Sequence, residues 1–480
     1  MTALVLDVGT TGVRAGTVDD SGALALRAKR VVRPSSPLPG FVEVDAVALA
    51  GAALEVASEA IEAVGRVDAV GVTNQRATTI VWDRRSGEPV GPGIGWQDLR
   101  TVGSCLLLQG QGIRLAPNQS ATKLAALLEV ADPQRRRDLC FGTVDTWLAW
   151  TLSGGSLHVT DPSNAGVTGL LLADASGWDM DVAGALRIPP SALPGIVGSS
   201  EVVGHATRLA GHPPIAALVG DQQASLVGQG CTRRGLAKAT FGTGGMLDLC
   251  TGEQRPRSSG RGPAGTYPVV AWRRSGRTAW GLEAIMLSAG SALDWLADDL
   301  GLLSDPAESD TLAAACPDSG DVVFVPALLG LGTPDWDFGA RGLLLGLTGG
   351  TGRPEIARAV LEGIAHRGAD LVEAAESDSG LRIEALRVDG GMSANRTFVQ
   401  ALADATQRPV QVSPVLEATA LGAAYLAGLA VGTWADEEEL ATLWAPGRVV
   451  EPRRLLDRDR WREGRERARG TVPELSALQF

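Results

Sequence analysis

The sequence predicts an α/β protein with mixed sheets, divided into two domains. At 480 residues the chain is too long for one hydrophobic core, so two domains of similar size are the default expectation. Short apolar runs that end in Gly or Asp predict strands, and they alternate with Ala- and Leu-rich stretches of helical spacing. Turn-rich segments with a glycine predict hairpins, so the sheets are not expected to be purely parallel.

The individual elements follow from local patterns. Strands are predicted at 3–9 (ALVLDVG), 67–73 (VDAVGVT), 216–221 (AALVGD) and 386–391 (LRVDGG). From Val47 onward, apolar residues recur at spacings of three and four, which predicts a helix with Ala50, Leu54, Ala57, Ile61 and Val64 on one face. Hairpins are predicted at 18–26, 82–90 and 272–280.

A domain boundary is predicted near residue 235, which gives domains 1–235 and 236–445. A weak internal echo supports two similar domains that face one another: DVGTTG (7–12) and FGTGG (241–245) both lie beside candidate strands, about half a chain apart. The remaining segment, 446–480, contains WREGRERARG, and its charge predicts a solvated helix or extension.

Composition limits the class of function. A net charge of -12 and a pI near 5.0 argue against a nucleic-acid-binding surface. No apolar run reaches the roughly 18 residues that span a bilayer, so no membrane association is expected. The five cysteines and four histidines are scattered without a CxxC pair, which predicts no zinc cluster and favours a reducing cytoplasm.

The segment DVGTTGVR (7–14) has the composition of a phosphate-binding turn. Gly9 and Gly12 permit close backbone approach, and exposed N–H groups in such a turn bind anions. Asp7 at the strand end could hold Mg²⁺ through water, while Arg14 could neutralise phosphate charge. An ordinary hairpin turn is the alternative, and the GxxxxGK[ST] pattern of a P-loop is absent.

Two further glycine-rich segments fit a nucleotide. In FGTGGM (241–246), Thr243 is a candidate phosphate donor, and in DGGMSAN (389–395), Gly390 and Gly391 could lie flat against a nucleotide. Each could also be a plain turn. Three such segments in one chain favour a nucleotide site.

Polar residues after other strands suggest an acceptor site. Arg76, Trp96, Gln97 and Asp98 could line a pocket for a hydroxylated substrate, since sugars and polyols are bound by polar groups beside an aromatic wall. Surface loops with satisfied polar groups are the alternative. In GDQQASLVGQG (220–230), Asp221 could be either a helix cap or a catalytic base.

Taken together, the order of these motifs resembles the FGGY carbohydrate kinases, and within that family it is most similar to the glycerol kinases. The likeness extends to about residue 435 and also includes FVPALLGLGTPDWDFGARG and ATALGAAYLAGLAVG. It implies two ribonuclease-H-like domains, of the type found in actin and hexokinases, that flank a cleft for ATP, Mg²⁺ and a polyol or sugar. The implied reaction is ATP-dependent phosphorylation of a primary hydroxyl.

The resemblance also implies roles by position. Asp7 would organise Mg²⁺ and Asp221 would be the catalytic base, with Gln222, Arg76 and Trp96 at the acceptor. The positions matching phosphoryl or nucleotide contacts are Thr10, Thr11, Gly12, Arg14, Thr243, Gly290, Gly391 and Asn395.

Three acceptor positions depart from the glycerol kinases. Ala77 stands where they have Glu, Asn118 where they have Tyr, and Met246 where they have Phe. We therefore expect an acceptor longer than glycerol: a tetritol, a pentitol or a ketose. Asp294 replaces a Gln near the nucleotide. The segment before Asp221 lacks the Gly-rich loop that binds fructose bisphosphate in some bacterial members, so that control is not expected.

The alternatives stay within one fold. They are a true glycerol kinase with a remodelled pocket, a ketose kinase of the xylulose or ribulose type, and a non-catalytic nucleotide switch or sugar sensor. The simultaneous presence of Asp7, Thr10, Arg14, Thr243 and Asp221 disfavours the last of these. The resemblance also allows a homodimer.

Overall fold

The computed structural model describes residues 1–478. Its strands, in chain order, are β1 (Thr2–Gly9), β2 (Gly12–Asp19), β3 (Leu24–Val31), β4 (Glu43–Val44), β5 (Ala69–Asn74), β6 (Ile80–Asp83), β7 (Gly93–Ile94), β8 (Leu139–Gly142), β9 (Val159–Thr160), β10 (Gly195–Ile196), β11 (Ser200–His205), β12 (Pro214–Gly220), β13 (Ala237–Phe241), β14 (Gly245–Gly252), β15 (Tyr267–Arg274), β16 (Arg277–Met286), β17 (Val323–Val325), β18 (Leu343–Leu345), β19 (Leu386–Asp389), β20 (Val410–Val412) and β21 (Arg448–Val450).

The α-helices of the same region are α1 (Ala46–Val64), α2 (Val102–Gln109), α3 (Ser120–Ala131), α4 (Val144–Leu152), α5 (Pro162–Ala165), α6 (Met180–Ala185), α7 (Asp221–Gly228), α8 (Ser291–Asp294), α9 (Glu308–Ala314), α10 (Arg353–Ser379), α11 (Arg396–Thr406), α12 (Ala418–Ala430), α13 (Glu437–Leu443), α14 (Arg458–Ala468) and α15 (Pro473–Ser476). No helix within residues 1–478 is long and apolar enough to cross a membrane.

The two halves of the chain repeat one sheet topology. In the first half, the antiparallel strands β3, β2 and β1 continue into the parallel strands β5 and β12. In the second half, β16, β14 and β13 are antiparallel and continue into the parallel strands β19 and β20. A pairing of Ser200 with Arg274 joins both into one mixed sheet. The expected internal echo is therefore confirmed as a repeated strand order.

The predicted strands and hairpins are confirmed in position. The four predicted strands correspond to β1, β5, β12 and β19, and the helix predicted from Val47 is α1. The segments 18–26 and 272–280 form the β2–β3 and β15–β16 hairpins. The segment 82–90 also turns back on itself, with a bridge between Trp82 and Pro89. Because the two Gly-Thr segments each connect the first antiparallel pair of a half, they occupy equivalent places.

Two helices link the halves by close packing. α12 belongs to the second half of the chain but packs on β1, β5, β12 and α7 of the first half. A Cβ atom on Gly228 would lie 2.0 Å from the Ala418 carbonyl oxygen, and one on Gly422 would lie 1.8 Å from that of Ala224. Only glycine allows the two backbones to cross at this separation. The position of α7 is thereby coupled to α12.

The charged tail is docked on the second half rather than solvated. Its helix α14 is present, but Trp461 is completely buried and stacks on His366 with ring centroids 5.1 Å apart. Arg458 and Arg465 of this helix form ion pairs with the buried Asp370. The prediction of a solvated extension is wrong for this helix, because one apolar face with a tryptophan outweighs its high overall charge.

Candidate active site

The β1–β2 hairpin presents the first cluster of predicted residues. Gly9 and Gly12 are paired across the hairpin, with Thr10 and Thr11 between them in the turn. A side chain at Gly12 could not be accommodated, since its Cβ would lie 2.4 Å from the Arg30 carbonyl oxygen. The turn is thus a hairpin whose backbone is open on the side of Thr10 and Thr11, in keeping with the predicted phosphate-binding role.

Asp7 and Arg14 face each other across the same hairpin. They are paired residues of β1 and β2, and Arg14 Nη2 lies 3.3 Å from Asp7 Oδ2. Arg14 also forms an ion pair with Glu417, which immediately precedes α12. Burial raises the pKa of Asp7 to about 6; Arg14 opposes this shift, whereas the charges of Glu417 and Asp221 add to it.

This charge distribution fits a Mg²⁺ ion that arrives with a nucleotide. Three carboxylates, those of Asp7, Glu417 and Asp221, act on a small region that contains Arg14, so bound cationic charge would be stabilised there. Within residues 1–478 no group of three or more His, Cys, Asp or Glu side chains is arranged to hold a metal alone. A Mg²⁺ held by one or two carboxylates, water and phosphate oxygens is consistent with both the excess of carboxylates and the lack of a complete set of protein ligands.

Asp221 begins α7 but does not cap it. The capping residue is Gly220, and the Asp221 side chain accepts a hydrogen bond from the backbone N–H of Gln222 at 2.8 Å. Asp221 Oδ1 lies 3.5 Å from Arg76 Nε. Although 32% of the side chain is exposed, burial raises its pKa, with Arg76 opposing the shift. A partly exposed carboxylate oriented by a guanidinium can accept a proton from an alcohol.

Gly220 makes room for the arginine that orients Asp221. A Cβ atom at Gly220 would lie 2.7 Å from Arg76 Cδ, so the arginine side chain passes directly over the glycine. Beyond it, Arg76 Nη2 donates a 2.7 Å hydrogen bond to the buried Glu283. Arg76 Nη1 is buried and has no hydrogen bond within the described residues. One donor of Arg76 is therefore left without a partner in the described residues.

Gln222 is oriented by a buried lysine that the sequence analysis missed. Lys238 Nζ donates to Gln222 Oε1 at 2.6 Å and to Thr240 Oγ1 at 3.0 Å, and it lies 2.8 Å from Asp248 Oδ2. Holding Oε1 turns the amide nitrogen of Gln222 toward the other side. Lys238, Asp248 and Glu283 are neighbours in register across β13, β14 and β16. Each is a single charged residue within an apolar strand, in AKATF, MLDLC and GLEAI, and this pattern is the sequence signal for a buried charged cluster.

The three residues that depart from the glycerol kinases, Ala77, Asn118 and Met246, lie in different parts of the fold and differ in burial. Ala77 is buried and has a positive φ of 61°, which is unusual for a residue other than glycine. Trp96 donates from Nε1 to Thr10 Oγ1 at 3.3 Å, which links a predicted acceptor residue to the turn predicted to bind phosphate. Asn118 is exposed, and Met246 is half-buried on β14. The side chain of Asp248 lies on the same face of β14 as Met246.

Asp98 and Gln97 do not join this cluster as expected. The Asp98 carboxylate is fully buried and accepts hydrogen bonds from Val42 N at 2.6 Å and from Arg100 Nε at 3.0 Å. Gln97 is exposed in the same turn. The Asp98 carboxylate accepts its hydrogen bonds from protein groups, so it stabilises the loop that carries Trp96 and is not free to bind a substrate.

Predicted nucleotide residues of the second half converge through backbone contacts. The N–H groups of Gly290 and Ala289 donate to the carbonyl oxygens of Gly242 and Thr243, at 2.8 and 2.9 Å. A Cβ atom on Gly390 would lie 2.4 Å from the Phe241 carbonyl oxygen. The segments that contain Gly242, Gly290 and Gly390 thus pack directly on one another. Thr243 and Gly391 are exposed beside these contacts.

Asn395 has a structural role in this arrangement. Its Oδ1 accepts from Phe398 N at 2.8 Å and caps α11, while Nδ2 donates to Ser309 Oγ at 3.0 Å. Capping by Asn stabilises a helix start. A nucleotide contact by this side chain stays a prediction.

Most of the chain matches the two domain models of a single protein family. A family model described as the FGGY family of carbohydrate kinases matches with its N-terminal domain at residues 2–228 and its C-terminal domain at residues 237–431. A glycerol kinase from Trichlorobacter lovleyi is 44% identical, over 97% of this chain and 98% of that protein.

Solved structures give the same picture. A glycerol kinase from Plasmodium falciparum, crystallised with ADP, superposes with a TM-score of 0.88 at 28% identity and covers 100% of this chain and 99% of its own. A xylulose kinase from Brucella ovis gives a TM-score of 0.86 at 26% identity, with 100% of both chains covered.

Proposed function

Because this chain belongs to the FGGY family of carbohydrate kinases, we propose that Asp221 is the general base for transfer of the terminal phosphoryl group of ATP to a primary hydroxyl of a polyol or sugar. Enzymes of this family use ATP with Mg²⁺, and the ion neutralises phosphate charge. The single observation that supports this assignment best is the placement of Asp221 beside Arg76, in the same electrostatic environment as Asp7 and the phosphate-binding turn.

The residues of this chain would act mainly by positioning. Asp7 would hold the metal, and the Thr10–Gly12 turn and Arg14 would contact the phosphoryl group from one side. The segments with Thr243, Gly290 and Gly391 would hold the nucleotide from the other side. In phosphoryl transfer, alignment and charge stabilisation supply most of the rate enhancement. This division agrees with a domain boundary near residue 235, the first domain supplying the base and acceptor site.

Proton removal requires a base within hydrogen-bond reach of the acceptor hydroxyl. Asp221 would accept the proton as the new P–O bond forms, and Arg76 would keep the carboxylate ionised and oriented. Gln222, with its oxygen held by Lys238, would donate from its amide nitrogen to a second hydroxyl. Closure of the site around both substrates would exclude water, the competing acceptor.

The acceptor is proposed to carry more hydroxyl groups than glycerol. Arg76 Nη1 and Asp248 Oδ1 are buried without hydrogen bonds in the described residues, whereas Asp248 Oδ2 is already paired with Lys238. Such groups cost about 1–3 kcal/mol each when they stay unsatisfied. Additional hydroxyls could pair with them, and the small or polar residues Ala77 and Asn118 leave space on the walls. A tetritol, a pentitol or a ketose fits this description.

Glycerol itself is the second candidate, favoured by relatives of 41–45% identity that carry the name glycerol kinase. A panel of glycerol, erythritol, the pentitols, xylulose and ribulose, assayed with MgATP and with mass spectrometry of the products, separates the two. We expect the highest kcat/KM for an acceptor of four or five carbons. Highest kcat/KM for glycerol would overturn the larger acceptor and leave the kinase assignment intact.

The same panel tests the non-catalytic alternative. Turnover of ATP by a kinase depends on the acceptor, whereas a nucleotide switch hydrolyses ATP at the same rate without one. Equal ADP production with and without every acceptor would therefore refute the kinase proposal. A cytoplasmic location is part of this proposal, because that compartment supplies ATP.

A further inference from the structure

A buried lysine, Lys123, lies behind the walls of the proposed acceptor pocket. It is in the first turn of α3 and is completely shielded from solvent. Its Nζ donates to the carbonyl oxygens of Gly95 at 2.8 Å, Trp96 at 3.1 Å and Asn118 at 3.3 Å. A fully buried lysine is rare unless its charge is paired. Within the described residues, Lys123 has no ion pair and its ammonium is held by carbonyl oxygens alone.

The first turn of α3 also contacts the backbone at Ala77. Ser120, the first residue of α3, is buried and donates from Oγ to the carbonyl oxygen of Ala77 at 3.1 Å. The side chains of Ser120 and Lys123, three residues apart, thus hold the backbone at Ala77, Trp96 and Asn118. Ala77 has the left-handed conformation that such a tether can maintain, since a strained backbone persists only when its surroundings enforce it.

We propose that Lys123 is a positioning residue that fixes the walls of the acceptor pocket and thereby selects the acceptor. The identity of the acceptor rests on the proposed kinase function. The choice of Lys123 rests on the contacts that α3 makes with the backbone of the pocket. Lys123 reaches only main-chain oxygens, so it does not contact the reacting atoms. Loss of its ammonium would loosen the loop of Trp96 and the segment of Asn118 together.

Protonation of Lys123 gives the proposal a distinctive signature. Burial lowers the pKa of Lys123 to about 7, with Asp98 acting in the opposite direction. An ammonium has three N–H donors for three carbonyl oxygens, whereas the neutral amine has two. The longest contact, to Asn118, would be lost first. The pocket should therefore bind the acceptor less tightly as the pH rises through the pKa of Lys123.

The charged groups that face Lys123 do not titrate in that range. Besides Asp98, they are Arg100 and Cys105. Although burial opposes its ionisation, hydrogen bonds from Arg100 and Val42 hold the pKa of Asp98 below its ordinary value. Burial raises the pKa of the Cys105 thiol, and hydrogen bonds to Asp98 and Glu43 keep Arg100 charged. Between pH 6.5 and 8.5 the change in this cluster therefore belongs to Lys123.

The test is the pH dependence of KM for the best acceptor of the panel, measured beside KM for ATP. For the wild-type enzyme, KM for the acceptor should rise about tenfold from pH 6.5 to pH 8.5, while KM for ATP changes less than twofold. Lys123→Met should raise the acceptor KM about tenfold at pH 6.5 and abolish its pH dependence. Lys29→Met, which removes an exposed lysine on β3, is the matched control and should behave as the wild type.

Other outcomes decide against the proposal. A wild-type acceptor KM that is flat over this range overturns it, even if Lys123→Met does not fold. A Lys123→Met enzyme with unchanged acceptor KM and unchanged preference among acceptors also overturns it. Ser120→Ala should shift the preference among acceptors without altering the pH profile. Absence of turnover with every acceptor in the wild type would instead refute the kinase function, which keeps the two failures distinct.

Discussion

Lys238 and Gln222 meet at 2.6 Å beneath the proposed acceptor site, with the lysine ammonium donating to the glutamine side-chain oxygen. The lysine is fully buried and is balanced by Asp248, whose Oδ2 lies 2.8 Å away. The orientation of the Gln222 amide beside Asp221 therefore depends on a buried ion pair between Lys238 and Asp248. Buried pairs contribute little net stability but are costly to break from one side.

This pair predicts a non-additive response to mutation. Lys238→Met should lower the free energy of unfolding by about 3–5 kcal/mol, because Asp248 would remain buried without its counter-charge. Adding Asp248→Leu should restore most of that loss, although acceptor KM would stay high. Urea unfolding of both variants measures the effect. Arg277→Met, at an exposed pair with Glu253, is the control and should change stability by less than about 1 kcal/mol. Equal losses in the single and double variants would contradict this account.

Asp221→Asn should remove the proposed base and leave the fold intact. The amide keeps the size of the side chain, but it cannot accept the hydroxyl proton, and kcat should fall by about 10²–10⁴-fold. Steady-state kinetics and the affinity for ADP, measured by calorimetry, check this expectation. The exposed Asp298→Asn is a control of identical chemistry and should retain activity. Near-normal turnover by Asp221→Asn would show that another group accepts the proton.

The raised pKa of Asp7 predicts a stability cost in the free enzyme. Its pKa is about 6 in the folded protein against 3.8 for an ordinary aspartate, so the folded state binds the proton more tightly. The free energy of unfolding should therefore decrease as the pH rises from about 4 to above 6, and by up to about 3 kcal/mol from this group. Asp7→Asn should remove this contribution to the decrease.

Denaturant titrations of wild type and Asp7→Asn at pH 5 and pH 8, without nucleotide or Mg²⁺, measure this effect. We expect Asp7→Asn to be the more stable protein at pH 8 and to lack activity. A wild-type protein that is as stable at pH 8 as Asp7→Asn would disprove a destabilising buried charge on Asp7. Because Mg²⁺ and nucleotide would supply positive and negative partners to this region, their addition should reduce the difference between the two proteins.

The glycine crossing of α7 and α12 predicts a sterically specific effect. In Gly422→Ala, the new Cβ would lie 1.8 Å from the Ala224 carbonyl oxygen, so the helices must separate. Overpacking of this kind costs about 1–3 kcal/mol. Because Asp221 begins α7, kcat should also fall. The control is Gly184→Ala in α6, where nothing lies within 4 Å of the added Cβ. If thermal unfolding shows both variants to be as stable as the wild type, the close crossing is not needed.

The sequence alone determined the α/β class, the position of the main strands and the family. Hydrophobic periodicity and glycine-bounded strands are local signals, and they placed β1, β5, β12, β19 and α1. The spaced motifs were sufficient for the resemblance to a kinase. They also identified Asp221 as a residue of interest, although whether it capped a helix or faced a substrate could not be read from its neighbours in the chain.

Only the tertiary structure decided which polar residues meet. Asp98 looked like a pocket residue, but its carboxylate is bound by Arg100 and Val42. Lys238 lies within an apolar strand and Lys123 follows the polar start of a helix, and no motif marks either residue, yet each contacts a proposed acceptor residue from behind. These contacts join residues far apart in the chain or on neighbouring strands, and such pairing depends on sheet register and helix packing. Periodicity identifies the face of an element, whereas long-range packing determines what that face contacts.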